Sequence, residues 1–395
     1  MIVRCAGCGT EYLGWSCPNR RDGDDIEHVL VPELDGAAPL GEGEHPFIRY
    51  RRRLASYQLW RDSGRDDDSF VALVASLDAA VAGVAGSGVV RTPLTFSPII
   101  DEAIGARVWI KDETGGVAGS HKSRHLFGLL LVLAVLDRPG DLVIASCGNA
   151  ARAAAVMAAA AGRRLTAFVP PGADVAPLLA FGARVEVCPR DGLPGDPCYR
   201  RFRQAVAAGA IPFGCQGPDN GFAVEGASTI AWEVAEWLPE GVDRVVVQVG
   251  GGALASAVAR GLLPLPVFDT VQTAGAHPLE RALRRLRADG VSLETAAHHR
   301  SRYMWPWESE PASVAEGILD DEAYDWLSVA GAMLASGGSA LVVDDALLVE
   351  ANQLARRATG IAVSPTGSAG LAGALLLARR GMVSPGSSTL VIFTG

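Results

Sequence analysis

Lysine is almost missing from this chain. Of thirty-five basic residues, thirty-three are arginine, and lysine is kept only at Lys111 and Lys122. Arginine serves as well in most surface ion pairs, but only a primary amine with an accessible pKa condenses with a carbonyl to form a Schiff base. A retained lysine therefore points to amine chemistry, with a snorkelling side chain as the plain alternative. A surplus of positive charge is also missing. The net charge of −9 and pI near 5.3 argue against nucleic acid or an anionic membrane as partner, and the run Arg49 to Arg53 is too short to reverse that. The apolar runs are interrupted or alanine-rich and end before about 18 residues, and no basic segment followed by an apolar one opens the chain. No membrane span is expected, and a cytoplasmic location is. Seven cysteines, an odd number without a disulfide framework, fit a reducing compartment. Neither GK[ST] nor GxGxxG occurs, which leaves out the Walker and dinucleotide loops.

What is present begins with a partial motif. Cys5-Ala6-Gly7-Cys8 with Cys17-Pro18 has the look of a zinc knuckle, since a CxxC turn presents two thiolates to one tetrahedral ion. Where a second CxxC would end stands Arg20, and the nearest substitutes are His28 and cysteines from elsewhere. No bound metal is expected, and the segment reads as a decayed knuckle that packs as an ordinary ribbon. Apolar spacing predicts amphipathic helices over 47–59 and 70–84, with a charged loop over 62–69 between them.

From residue 91 onward strands and helices alternate. Strands are predicted over 107–110, 142–146, 165–169, 184–188, 244–249, 270–273 and 389–393. Helices are predicted over 125–136, 150–161, 175–181, 199–208, 253–261, 279–288, 346–359 and 368–380. That pattern implies an α/β protein with two open parallel-sheet units covered on both faces. The expected division is an N-terminal extension over 1–88, a large unit from 89–128 and 208–395, and a small mobile unit over 129–207. A chain of 395 residues, 49% hydrophobic, has length and core enough for this.

Ligands of such sheets lie beyond the carboxyl ends of the strands. Ser146-Cys147-Gly148-Asn149 falls there, where backbone N–H groups and the helix dipole suit a carboxylate. Gly250-Gly251-Gly252-Ala253-Leu254 also falls there, and its successive glycines can wrap a phosphate as a nest. Either loop alone could be tight packing or a helix cap. Lys122 follows the turn-forming run Gly115 to Ser120 and opens an apolar helix. Together with the polar tip Ser364-Pro365-Thr366-Gly367, these are the parts needed to hold pyridoxal phosphate and an amino acid.

In chain order the segments are Thr92-Pro93-Leu94, Gly119-Ser120-His121-Lys122, Ala145-Ser146-Cys147-Gly148-Asn149-Ala150, Phe168-Val169-Pro170-Pro171-Gly172, Glu225-Gly226, Val249-Gly250-Gly251-Gly252, Ser364 to Leu371 and Phe393-Thr394-Gly395. In that order they resemble the fold-type II pyridoxal-phosphate enzymes, the tryptophan synthase β superfamily, and within it the threonine synthase-like branch. The resemblance implies that Lys122 forms the Schiff base and shuttles protons, that Asn149 holds the cofactor's 3-hydroxyl, and that Gly250 to Leu254 cradle its phosphate. It also implies that Thr366 faces the pyridine nitrogen and that Ser146 to Asn149 bind the substrate carboxylate. A homodimer and a small-molecule amino-acid substrate are implied as well.

The departures carry information. The usual threonine synthase sequence has Phe before the lysine and Asp-Arg-Gly after it, whereas here His121 precedes and Ser123-Arg124-His125 follow. Histidine before the lysine is similar to tryptophan synthase β subunits, which implies a phosphate contact for His121. Cys147 replaces a Ser or Thr, and reads as a small buried thiol or as a reactive thiolate at a helix start. Met304-Trp305-Pro306-Trp307-Glu308 reads as a substrate lid or as a hydrophobic clasp between domains, and His298-His299 as solvated. The implied reaction is elimination and replacement at the β or γ carbon, as in O-phosphohomoserine to threonine. A threonine or serine dehydratase, a β-replacement synthase and a non-catalytic carrier of the cofactor stand as alternatives.

Overall fold

The β-branched runs of the second half, such as Arg244-Val-Val-Val-Gln248, read as strands buried on both faces, and they build the larger of two sheets. The computed structural model describes residues 1–21, 23–193 and 195–395. Strands β1 (Val3–Cys5) and β2 (Leu30–Pro32) pair antiparallel as a small ribbon. The large sheet uses β3 (Leu94–Phe96), β4 (Arg107–Asp112), β9 (Arg244–Gln248), β10 (Val267–Thr273), β11 (Ala340–Val343) and β12 (Ser388–Phe393). Its order is β11-β10-β9-β12-β4-β3, parallel except for the edge strand β3. The small sheet, β5 (Leu142–Ala145), β6 (Leu165–Val169), β7 (Arg184–Val187) and β8 (Ile211–Pro212), is parallel in the order β7-β6-β5-β8.

The division between units differs from the expected one at two points. Residue 129 falls inside a continuous helix, Lys122–Val135, so no break separates the lysine from the small unit. Strand β8 pairs with β5, register Leu142 to Ile211, which carries the small unit past residue 208. The extension also differs from a separate module. Phe47, Tyr50, Phe70 and Val74 share one core with Leu126, Phe127 and Leu130 of the lysine helix and with Ala151, Val156 and Met157 of the helix Asn149–Ala160.

The amphipathic stretch over 47–59 is broken into Pro46–Arg49, a 3-10 turn Arg51–Arg53, and Ala55–Asp62. At the break Arg51 turns inward to Asp67, Nε to Oδ1 at 2.7 Å, and the Glu225 carboxylate accepts the Ala55 N–H that opens the second helix, at 3.0 Å. The next helix, Asp67–Ala85, is capped by Asp66 and longer than its apolar spacing implied. Among the described residues it is the one helix long and apolar enough to cross a membrane. Here it packs Phe70, Val74 and Val81 inward, and its Asp78 carboxylate accepts the Val89 N–H and faces His45.

Candidate active site

Lys122 is the first residue of a helix buried on almost every side. Ser123 to Leu133 are all buried, so the helix is fixed by its surroundings rather than by one apolar face. The turn before it is made by Ala118 and Gly119, both at positive φ, and the Ser120 hydroxyl accepts the Lys122 N–H at 3.3 Å. Two residues on, Arg124 anchors the helix start. Its guanidinium donates to Glu113 Oε2 at 2.8 Å, to Glu233 Oε1 at 2.6 Å and to Thr229 Oγ1 at 3.0 Å. Gly226 permits this close seating, since a Cβ there would lie 2.2 Å from the Arg124 carbonyl oxygen.

The other retained lysine belongs to the same buried group and not to the crevice. Lys111 is wholly buried, as are Glu113 and Glu233. Its Nζ donates to Glu233 Oε2 and to the Thr92 carbonyl and hydroxyl, each at 2.5 Å. Burial drives the Lys111 pKa down against the pull of Glu233 and Glu113. Burial works the other way on Glu233, but Arg124 and Lys111 outweigh it and hold that carboxyl below its usual range. The amine chemistry inferred from lysine scarcity is thus reduced to one residue, Lys122.

His121 precedes Lys122, and both of its buried ring nitrogens lack a hydrogen-bond partner. Burial, then the charges of Lys122, His125 and Arg124, push its pKa well below the usual value, so the ring is neutral with one N–H to give. An unpartnered buried imidazole costs free energy unless a ligand completes it. His125, one turn on, is satisfied on one side by the Ala223 carbonyl at 2.8 Å.

The glycine turn after β9 brings in an acid that the sequence reading missed. Gly252 sits at φ +95 and opens the helix Ala253–Gly261. A Cβ on Gly250 would lie 2.2 Å from Asp320 Oδ2. Asp320 is half-buried by residue area, but its carboxyl lies deep against this turn. Its pKa is pushed up to about 6 by burial, with Lys122 and the Gly251 N–H opposing. Asp320 therefore lies against the turn with its charged form disfavoured by burial. In the sequence Asp320 opens the acidic run Asp320-Asp321-Glu322, with no motif to set it apart from a solvated charge run.

Thr366 Oγ1 accepts the Gly317 N–H at 3.0 Å, which leaves the hydroxyl hydrogen free to donate. Asn149 opens the helix Asn149–Ala160, and its side-chain amide donates to the Gly395 carbonyl at 2.9 Å. The Gly395 α-carbon meets the lysine loop, where an added Cβ would fall 1.7 Å from the Gly119 oxygen. Through Gly395 the loop of Ser146, Cys147, Gly148 and Asn149 is joined to the turn before Lys122. Cys147 is neither of the two thiols expected. It is exposed, and its pKa is raised, chiefly by desolvation of the sulfur. Trp305 and Trp307 flank Arg281, 3.8 and 5.0 Å from its guanidinium. His298 is held by the Gly7 carbonyl at 2.7 Å, and His299 is exposed.

A family model described as pyridoxal-phosphate dependent enzyme matches residues 86–395. The chain belongs to that family. Among the relatives of this pyridoxal-phosphate-dependent enzyme, the threonine synthase of Methanocaldococcus jannaschii is 26% identical over 321 residues, 77% of this chain and 74% of that protein. The L-threonine ammonia-lyase of Thermotoga maritima is 31% identical over 211 residues, 51% of this chain and 50% of that one. In fold it is similar to maize serine racemase, TM-score 0.64 at 23% identity, covering 81% of this chain and 93% of that one. It is also similar to the threonine deaminase of T.th., TM-score 0.63 at 23% identity, covering 81% of this chain and 96% of that one. The residues present fit the family's cofactor: the His121 imidazole beside Lys122 is neutral and without a partner, and Asp320, on which the Lys122 charge acts, lies against Gly250 of the glycine turn.

Proposed function

We propose that this pyridoxal-phosphate-dependent lyase is threonine synthase-like, acting at the β or γ carbon of an amino acid with a leaving group such as that of O-phosphohomoserine. The observation that carries the reading is the run of threonine synthase relatives that cover three quarters of the chain; the unpartnered His121 imidazole beside Lys122 supports the cofactor and is silent on the substrate. Pyridoxal phosphate, when bound, withdraws electrons from the substrate's α-carbon. Lys122 would hold the cofactor and carry protons from the α and β positions. The neutral His121 would donate its N–H to the phosphate, with Gly250, Gly251, Gly252, Ala253 and Leu254 supplying the nest. Thr366 would face the ring nitrogen as an uncharged partner, Asn149 would hold the 3-hydroxyl, and Ser146 to Asn149 would receive the substrate carboxylate.

A dehydratase or β-replacement enzyme is the second reading, favoured by the 31% identity to an L-threonine ammonia-lyase. In either case we read the protein as a cytoplasmic homodimer with no nucleic-acid or membrane partner. Mass spectrometry of products from O-phosphohomoserine, threonine, serine and O-acetylserine separates the two. Threonine and phosphate from the first substrate support the threonine synthase reading. Release of 2-oxobutyrate or pyruvate from the others, with none from the first, replaces it. Lys122→Ala should lose both turnover and the cofactor's visible absorbance, and retained turnover would refute the assignment of Lys122.

A further inference from the structure

We propose that Cys5, Cys8, Cys17 and His28 form a closed, structural zinc site that fastens the N-terminal ribbon to the unit bearing the glycine turn. This reverses the expectation of no bound metal, which rested on the missing second CxxC. The fourth ligand comes instead from the residues just before β2, where the pairing of β1 with β2 brings His28 back beside Cys5.

The geometry is that of a tetrahedral ion. One ligand atom from each of the four residues lies within 4.8 Å of all the others. With Zn–S near 2.3 Å and Zn–N near 2.0 Å, the edges of the tetrahedron should measure about 3.4–3.8 Å. Cys8 Sγ lies 3.6 Å from Cys17 Sγ, and Cys5 Sγ lies 3.4 Å from His28 Nδ1. The sulfur pair is far too wide for a disulfide, whose bond is about 2.05 Å, and all three cysteines are free. Cys5, Cys17 and His28 are buried, with Cys8 half-exposed at the rim.

The surroundings are those of ligands rather than of packing thiols. The Asn19 amide donates to Cys8 Sγ at 3.7 Å, and the Thr10 hydroxyl, 3.4 Å from the same sulfur, accepts from the thiol and is within reach to donate to the thiolate that a metal would hold. The outer nitrogen of His28, Nε2, lies 3.3 Å from Asp24 Oδ2. A carboxylate at that distance favours the ring proton on Nε2, which would leave the Nδ1 lone pair for the metal, the part that outer partners of ligating histidines play. Four protein ligands leave no open position, which marks a structural site and not a catalytic one. Three thiols and an imidazole select zinc over hard cations, which take oxygen ligands.

The ribbon also needs such a staple. Its two strands have three residues each, and between them residues 6–29 carry no helix or longer strand among those described. So short a segment buries too little apolar surface to hold its own shape. What the metal would fasten is specific. The carbonyl of Gly7, inside the CxxC turn, lies 2.7 Å from His298 Nε2. Glu27, the neighbour of His28, accepts from Trp326 Nε1 at 2.5 Å and from Arg300 Nε at 2.9 Å, and its N–H donates to the Ala297 carbonyl at 2.7 Å. Asp325, beside Trp326, donates its N–H to the Gly251 carbonyl at 2.8 Å. The ribbon thus grips the segment that backs the glycine turn.

The test uses the full chain purified without chelators or a metal-affinity step. Elemental analysis should find one zinc per chain. Cobalt exchanged into the site should give the d–d and thiolate charge-transfer bands of a tetrahedral sulfur-rich site. Cys17→Ser and His28→Gln should each lower the metal content severalfold, while Cys188→Ala, outside the set, should leave it at one. Because those variants could fail to fold, alkylation of the wild type is the second readout. Stripping the metal should open Cys5, Cys8 and Cys17 to iodoacetamide, as located by peptide mass, and zinc should restore their protection. The exposed Cys147 should react in both states. Protein that holds no zinc and takes up no cobalt overturns the proposal, as does equal alkylation of the three thiols with and without metal.

Discussion

Removing the buried lysine, Lys111→Met, should destabilise the protein without touching the chemistry. The group it belongs to is balanced: Lys111 and Arg124 against Glu113 and Glu233, with Thr92 and Thr229 filling remaining bonds. Methionine keeps most of the volume but leaves one negative charge in a site closed to water. Breaking a buried pair from one side costs about 3–5 kcal/mol. For a chain of 395 residues each 1 kcal/mol moves Tm by roughly 1.2 °C, so a fall of about 4–6 °C is expected at pH 8.

The pH dependence distinguishes this from simple loss of packing. In the wild type Glu233 is held below its usual range, so its contribution is present above the unfolded value and is lost as pH falls through the folded one. In the variant, burial works against one cation fewer and the folded pKa of Glu233 rises. A group raised in the folded state contributes below its unfolded pKa and loses that contribution as pH rises. The deficit of Lys111→Met should therefore widen from pH 5.5 to pH 8. Scanning calorimetry or urea unfolding at both values measures it, and Lys111→Met/Glu233→Gln should recover at least half of the loss. A deficit under about 1 kcal/mol at pH 8, or one equal at both pH values, refutes the charge-balance account.

The remaining predictions are briefer. Glu225 is buried and its pKa is pushed up to about 7 by burial, against the N–H groups of Ala55 and Ser56, so its contribution is full below the ordinary 4.5 and lost as pH rises through 7. Glu225→Gln should match the wild type at pH 4.5 and exceed it at pH 8.5 by about 3 kcal/mol in chemical unfolding. His121→Ala should weaken cofactor affinity about 10–100-fold, as for one hydrogen bond of 1.5–3 kcal/mol to a charged group, measured by fluorescence titration; unchanged affinity removes the phosphate contact. Gly226→Ala should displace the lysine helix, because the added methyl meets the Arg124 carbonyl oxygen and the Gly128 α-carbon. It should cost several kcal/mol in unfolding, and wild-type stability would show that the backbone yields there.

What could be read in the sequence followed from local pattern. The strand Leu165–Val169 and the helix Ala253–Gly261 fall where apolar period and flanking glycines put them. The loops bearing Asn149 and Gly250 follow from the same punctuation. What could not be read depends on partners distant in the chain. The role of Lys111 needs Glu233, 122 positions away, and lysine scarcity alone could not tell a buried cation from a reactive amine. The break in the helix over 47–59 is met by partners far along the chain, Asp67 for Arg51 and Glu225 for the Ala55 N–H. Asp320 has no motif around it, and becomes visible only when the chain folds it against Gly250. His28 lacks the spacing of a second CxxC and joins the cysteines through strand pairing.

The first eighty-five residues hold on to both halves of the molecule. The ribbon is tied to the large unit through Gly7, Glu27 and Trp326, and the helix Asp67–Ala85 lies on the helix Asn149–Ala160 of the small unit. Between these holds the Met1 ammonium meets Asp62 at 2.7 Å, pinning ribbon to helices. Such a segment joins the two sheets as a ligament joins two bones: if the small sheet swings, the helix Asp67–Ala85 must travel with it or slide beneath it.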